Sequence, residues 1–397
     1  MHGARGPASA RGPRLTGFQA STYNPVLMAT RVGNALLGLG LAASLVQVAC
    51  RCSDAPVTAS AEKVEIADPA QPTPDPSAEA RGPLPPGIAR LPARATMIAH
   101  IDLTRFTSSP LWVESRARMG QDEEAQRMLA AMDACHMPLA GLASLDLGVE
   151  PVAQELAAVL TGEGVGVPEN LLCLRTQLGD AIGGDWKIEA RPPGEAIVVR
   201  GAGGSVEFVA HIVDARTVVL ASAAWAEPVA EVLRGASSSA ARGPLAALLG
   251  RAAPTAEAPR AIWFVGHLPP DVLEALATEG ADGVEDVRGA IDLDDGLALE
   301  LIVGVRSADR VPGLLALANA RLDLARGLAR MQGVPQPIVD SLEVSAEGSE
   351  VRLAARMRMA DIQAVRKQLE ALDRAVDEPI PDDVDDADDA TPDATAG

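Results

Sequence analysis

From residue 95 onward the apolar and polar positions alternate in short blocks that predict a chain of strands and helices. MIAHIDL (97–103) reads as a buried strand. Ser109 then caps a helix with Pro110 at its first position, where the missing N–H costs nothing. A second helix starts at Asp122 and carries Ala125, Met128, Leu129, Met132 and Cys135 at helical spacing. GLASLDLGV (141–149) and ELAAVLTG (155–162) read as strands, and Pro168 opens a helix carrying Leu171, Cys173, Leu174 and Leu178. Three more strands follow, AIVVRG (196–201), SVEFVAHIV (205–213) and TVVLAS (217–222), before Ser222 caps a helix containing Trp225, Val229 and Leu233.

Glycine, serine and proline loosen the pattern over 235–254, with one short helix at 244–249, and a second series then begins. AIWFVGHL (261–268) is a strand and PPDVLEALA (269–277) a helix. VRGAIDL (287–293) and LALELIVGV (297–305) are strands joined by the turn Asp294-Asp295-Gly296. The longest helix spans 307–331. A hairpin turning at Glu347-Gly348 puts Val351, Leu353, Ala355, Met357 and Met359 on one side and Arg352, Arg356 and Arg358 on the other. Asp361 starts a last helix with Ile362, Val365, Leu369 and Leu372.

The two series match in order, and MIAHIDL aligns with FVGHLPP (264–270), as SLDL (144–147) does with AIDL (290–293). The expected fold is α+β: mainly antiparallel sheet with helices packed on one face, built from two repeated units over 95–235 and 258–376.

Ahead of the first series, 53–94 is rich in proline, alanine and serine and reads as a linker. Before that, Arg31, an apolar run over 35–46, the small pair Val48-Ala49 and then Cys50 have the layout of an export signal over 28–52. A stretch this short suits the apolar core of a signal peptide better than a stable membrane-spanning helix, with a soluble secreted product as the second choice to a lipid-anchored one. It resembles the lipobox of bacterial lipoproteins, in which the cysteine is acylated and becomes the mature N-terminus; Gln47 stands where that family prefers leucine. Signal, linker and layout together resemble the exported lipoproteins of high-GC Gram-negative bacteria, a resemblance that implies a lipid on Cys50 and a membrane as partner, and carries no functional residue. Residues 1–27 have no periodicity and read as a disordered leader or an over-extended start, with Met28 the better initiator. At the other end, 377–397 hold nine acids and no base and are expected to be a disordered acidic tail.

Composition narrows the classes of function. Hydrophobic residues make 48% of 397 but aromatics only 2%, so the core must be aliphatic. The net charge of −20 argues against nucleic acid, which asks for a basic surface and stacking aromatics. Of four cysteines, Cys50 and Cys52 lie at the signal junction, leaving Cys135 and Cys173 in the folded part. Export places those two in an oxidising compartment, and a disulfide between them is expected.

Chemical motifs are scarce. GAGGS (201–205) precedes a strand, where a nucleotide fingerprint must open a helix. DLDDG (292–296) starts like a calcium loop, but Val303 stands where the closing glutamate belongs. The histidines show no metal-ligand spacing, and no serine elbow is present, so no metal and no cofactor is expected. His100 and His267 occupy matching strand positions, with Asp102 on the same strand face as His100. These two histidines and the stripe Arg352, Arg356 and Arg358 are the candidate surface or pocket. The expected function is that of a non-enzymatic binding or structural module, exported and held in the cell envelope through Cys50, with a protein partner there. Two alternatives stay open: a periplasmic module binding a small apolar ligand or lipid, and a hydrolase-like enzyme using His100 or His267.

Overall fold

The computed structural model describes residues 83–119, 122–179, 185–191, 193–201, 204–253, 259–331 and 333–367. The signal with Cys50, most of the linker, the end of the last helix with Leu369 and Leu372, and the acidic tail lie outside them. In chain order the elements are β1 (Met97–Asp102), α1 (Leu103–Ser108), α2 (Pro110–Met119), α3 (Glu123–Ala134), β2 (Leu142–Glu150), β3 (Glu155–Gly162), α4 (Pro168–Leu178), β4 (Asp185–Arg191), β5 (Gly194–Arg200), β6 (Val206–Asp214), β7 (Thr217–Ser222), α5 (Ala226–Leu233) and α6 (Ala246–Ala252). The second series comprises β8 (Ile262–His267), α7 (Pro270–Thr278), β9 (Val284–Asp292), β10 (Gly296–Val305), α8 (Val311–Met331), α9 (Gln336–Asp340), β11 (Glu343–Glu347) and β12 (Glu350–Arg358), after which 359–367 are helical.

All twelve strands form one antiparallel sheet in the order β11-β12-β10-β9-β8-β1-β2-β3-β7-β6-β5-β4, which establishes the α+β class. The two series are therefore not separate units. They meet along β1 and β8, where Met97 faces Gly266, Ile98 faces Val265 and Ala99 faces Phe264. Away from that seam each half runs strand, helical segment, two strands and helix; four strands, β4 to β7, then follow in the first half and the β11–β12 hairpin in the second, with β7 beside β3 and β12 beside β10.

Because opposed residues share a face, the register sorts every strand residue onto one of two faces. Ile101, Leu145, Ile262, Ile291, Leu297 and Leu299 lie on the face packed against Phe106 of α1 and Leu111 of α2. The same face holds Ile197, Ala210 and Val218 under α3 and α4, and Val303, Val305 and Val351 under α7 and α8. The opposite face carries His100, His211 and His267 and is called the histidine face below. Most helices thus lie on one face, but α5, α6 and the segment before β1 cover part of the histidine face, where Ile98, Val159, Val219, Trp263 and Val265 meet Trp225, Val229, Leu245 and Leu249.

That segment changes the reading of the linker. Ile88 and Leu91 are wholly buried in this core, with Leu84 packed against it, so the fold takes in the chain before residue 95. The prolines there shape a short 3₁₀ turn at Ile88–Arg90 rather than an open tether.

Local chemistry explains several boundaries. The Arg105 backbone N–H donates to Asp102 Oδ1 at 3.0 Å, capping α1, a helix the apolar pattern did not announce. The Trp112 N–H donates to Ser109 Oγ at 3.2 Å, as expected for the start of α2. Ser222, in contrast, caps no helix: its hydroxyl bonds the Glu155 carboxylate across from β7 and accepts from the Leu156 N–H at 3.4 Å. The Asp294-Asp295-Gly296 turn forms, and Gly296 at φ 136 takes a conformation open to glycine alone.

Candidate functional site

Cys135 and Cys173 are bridged, with Cα atoms 5.6 Å apart, tying the end of α3 to α4. Cys135 is 1% exposed within the cluster formed by Met132, Leu171 and Leu174. The bond is thus part of the packing between helices and sheet, with Cys135 buried and Cys173 partly so.

On the histidine face β1 brings His100 opposite Asp146 of β2 on one side and Trp263 of β8 on the other. The His100 Nδ1 lies 2.7 Å from Asp146 Oδ1. The histidine side chain is 12% exposed and the carboxylate not at all. With the Asp146 carboxylate as acceptor, Nδ1 is the donor of this bond. The Trp263 ring lies 5.6 Å from the imidazole, centroid to centroid. Asp146 Oδ2 and Trp263 Nε1 are both buried without a hydrogen-bond partner among the described residues. Gly87 closes over the carboxylate: a Cβ added there would lie 2.0 Å from Asp146 Oδ2. The expected neighbour of His100, Asp102, is used instead to cap α1.

His267 shares the face but not the bond. It stands opposite Asp286 in register, yet its Nδ1 lies 3.1 Å from the backbone oxygen of Glu285. Asp286 is drawn into a closed ring of four charges. Arg251, from α6, sits 3.2 Å from Asp286 Oδ2 and 3.6 Å from Glu350 Oε1. Arg288 hydrogen-bonds Glu350 and brings its Nε to 3.7 Å from Asp286 Oδ1. The ring is electrically balanced, and its two inner members, Asp286 and Arg288, are buried.

Two members of the arginine stripe, Arg352 and Arg358, are also paired with acids. Arg352 Nε is 2.8 Å from Glu300 Oε1, and Arg260 reaches Glu300 at 3.4 Å and Asp292 at 3.7 Å. Arg358 Nε is 3.0 Å from Asp361 Oδ2, a hydrogen bond that holds the aspartate below the usual carboxylate range and raises the arginine. Arg356 is anchored through its backbone N–H, which donates to Ser341 Oγ at 3.2 Å. A shallow cavity of about 340 Å³ lies beside Arg352, lined by Glu300, Ile302, Ser345, Glu347 and Glu350. Its walls suit a polar guest better than an apolar one.

The expected candidates therefore share one face without forming one site. Strands β9 and β10 separate β8 from β12, about 14 Å at normal strand spacing. Sequence reasoning missed Asp146, Trp263, Asp286 and Arg288, whose roles depend on which strand lies beside which. One signal was present: a lone aspartate in the apolar run SLDL asks for a buried partner.

Among the described residues no helix is long and apolar enough to cross a membrane, and no group of three or more metal-ligating side chains forms. No family model matches the chain, and no curated protein does. Among solved structures it is similar to crystal forms I, III and IV of TP0453. Form I is 8% identical with a TM-score of 0.38, covering 71% of this chain and 96% of that one. Form III gives 9% and 0.41 over 70% and 96%, and form IV 8% and 0.39 over 71% and 96%. Scores this low carry no conclusion about function or location.

Proposed function

We propose that the protein is exported and, held at a membrane through Cys50, works in the cell envelope as a non-enzymatic binding or structural module. The observation that carries the export reading is the Cys135–Cys173 bridge, since such bonds persist in oxidising compartments. A non-enzymatic role is supported by how the polar groups of the histidine face are used: Arg260, Arg288 and Arg352 bind acids on β10 and β12, and His267 binds a backbone oxygen. The uncovered part of the face then presents mostly paired charges, a surface suited to another macromolecule in the envelope.

The second reading, an acid–base site at His100, rests on one observation, the fully buried Asp146 behind its imidazole. The apolar-ligand reading has less support, because the cavity beside Arg352 sets four charged side chains against only Ile302 and Ala346 as apolar ones.

Expression from Met28 in a Gram-negative host tests the proposal. The product should lose its N-terminus and fractionate with membranes, Cys50→Ala should release it or block processing, and denatured Cys50→Ala, Cys52→Ala protein should show no free thiol without reductant. An unprocessed cytosolic product with two reactive thiols rejects export. An activity abolished by His100→Ala in a folded protein would replace the binding module with the enzyme.

A further inference from the structure

Strand β4 is an edge of the sheet, and no described strand pairs with its outer side. Its sequence, Asp185-Trp186-Lys187-Ile188-Glu189-Ala190-Arg191, alternates in two ways at once. Register with β5 puts the charged residues Asp185, Lys187, Glu189 and Arg191 on the histidine face and Trp186, Ile188 and Ala190 on the helix face. Trp186 packs into the core there, whereas Ile188 is 42% exposed.

We propose that β4 pairs antiparallel with β4 of a second copy of this chain, about a two-fold axis through Ile188. An isologous edge contact of this kind requires a strand complementary to its own reverse. Centred on Ile188, Asp185 faces Arg191 of the other copy, Lys187 faces Glu189, Trp186 faces Ala190, and Ile188 faces itself. All four charge contacts are attractive, and the exposed isoleucine is covered by its mate. Sliding the register by one step in either direction ruins this. Centred on Lys187, lysine meets lysine and Asp185 meets Glu189; centred on Glu189, glutamate meets glutamate and Lys187 meets Arg191. Centred on Trp186 or Ala190 the opposed charges are again unlike, but only three residues of each strand overlap; the register centred on Ile188 alone pairs the whole strand with every charge opposite its complement.

Within one chain Lys187 already lies 2.8 Å from Asp185, and Arg191 lies 3.0 Å from Glu189. Pairing does not break these contacts. Each charge gains a further opposite neighbour across the new seam. Charges on an edge strand also serve to keep other strands away. That role needs only a lysine, whereas β4 presents a set that repels copies misaligned by one step and matches an aligned copy along its full length.

Sedimentation equilibrium of the full chain carrying Cys50→Ala and Cys52→Ala, over a concentration series, tests the pairing. The expected species has twice the 40.9 kDa chain mass. Lys187→Glu places like charges opposite each other twice per dimer and should weaken association about tenfold or more. Adding Glu189→Lys restores complementarity and should recover it. Because Glu189 also binds Arg200, the fold of each variant is followed by near-UV circular dichroism. Independently, Ile188→Cys should give a disulfide-linked dimer under mild oxidation. Ala190→Cys, about 13 Å from its mate, should not. A chain monomeric throughout, a dimer indifferent to Lys187→Glu, or Ile188→Cys that fails to cross-link overturns the proposal.

Discussion

Asp146 stands across β1 and β2 from His100 as Asp286 stands across β8 and β9 from His267, but only the first pair is joined. The difference lies in what reaches each carboxylate. Arg251 and Arg288 hold Asp286, whereas Gly87 seals Asp146 away from everything but the imidazole. Removing His100 would thus leave a buried carboxylate with no partner among the described residues. His100→Ala should cost about 3–5 kcal/mol, and His100→Ala with Asp146→Ala clearly less than the sum of the two single changes. Urea unfolding of the two single variants and the double variant measures the coupling; a coupling below about 0.5 kcal/mol would reduce the pair to a coincidence of register.

Gly87 has ordinary helical backbone angles, φ −64 and ψ −33, so its value lies in the space it leaves. Gly87→Ala drives a methyl into Asp146 Oδ2 and must push the turn at Ile88–Arg90 off the sheet. The expected loss is about 1–3 kcal/mol, seen as a lower thermal midpoint and faster proteolysis ahead of β1. An unchanged midpoint would show that the turn is not seated on the carboxylate.

His211 is 3% exposed, with Nε2 3.2 Å from the Ala226 oxygen and Nδ1 unpartnered among the described residues. Burial is the main cause that lowers its pKa; the bond to Ala226 and the charge of Glu227 oppose it, while Arg191 and Arg234 add to it. The unfolded chain therefore binds more protons than the folded one below the ordinary histidine value of about 6.5. Stability is full above that pH and falls as the pH drops through it toward the lowered value. Urea midpoints between about pH 7.5 and 5 should decline, and His211→Gln should flatten the part of the decline that this residue causes.

Much of the strand pattern was legible because alternation is local. The strand β3 and the hairpin of β11 and β12, with its arginines all on one face, follow from period-two patterning and a glycine turn. What was missed is non-local. Ile88 and Leu91 sit among prolines with no periodicity, and only the sheet beneath them makes them core. The strand β4 escaped because charges fill one of its faces, as expected of an edge. The alignment of SLDL with AIDL pairs Asp146 with Asp292, whereas register about the seam pairs it with Asp286, six residues away. Faint sequence likeness followed apolar residues, and the sheet follows hydrogen bonds.

The seam between β1 and β8 also governs how this chain can acquire its fold. Trp263 and Val265 are wholly buried in the same core as Ile98, Val159 and Val219, so the first series lacks part of its interior until a strand more than a hundred and sixty residues downstream has arrived. Contacts so distant in sequence must close a very long loop before they repay its entropy, which slows folding and leaves edges exposed meanwhile. Emerging N-terminus first, the chain would spend its early life with the inner edge of β1 bare, open to any extended segment nearby. One apolar strand, IWFVGH, thus both covers the bare edge of β1 and founds the second half of the sheet, whose remaining strands follow it in the chain.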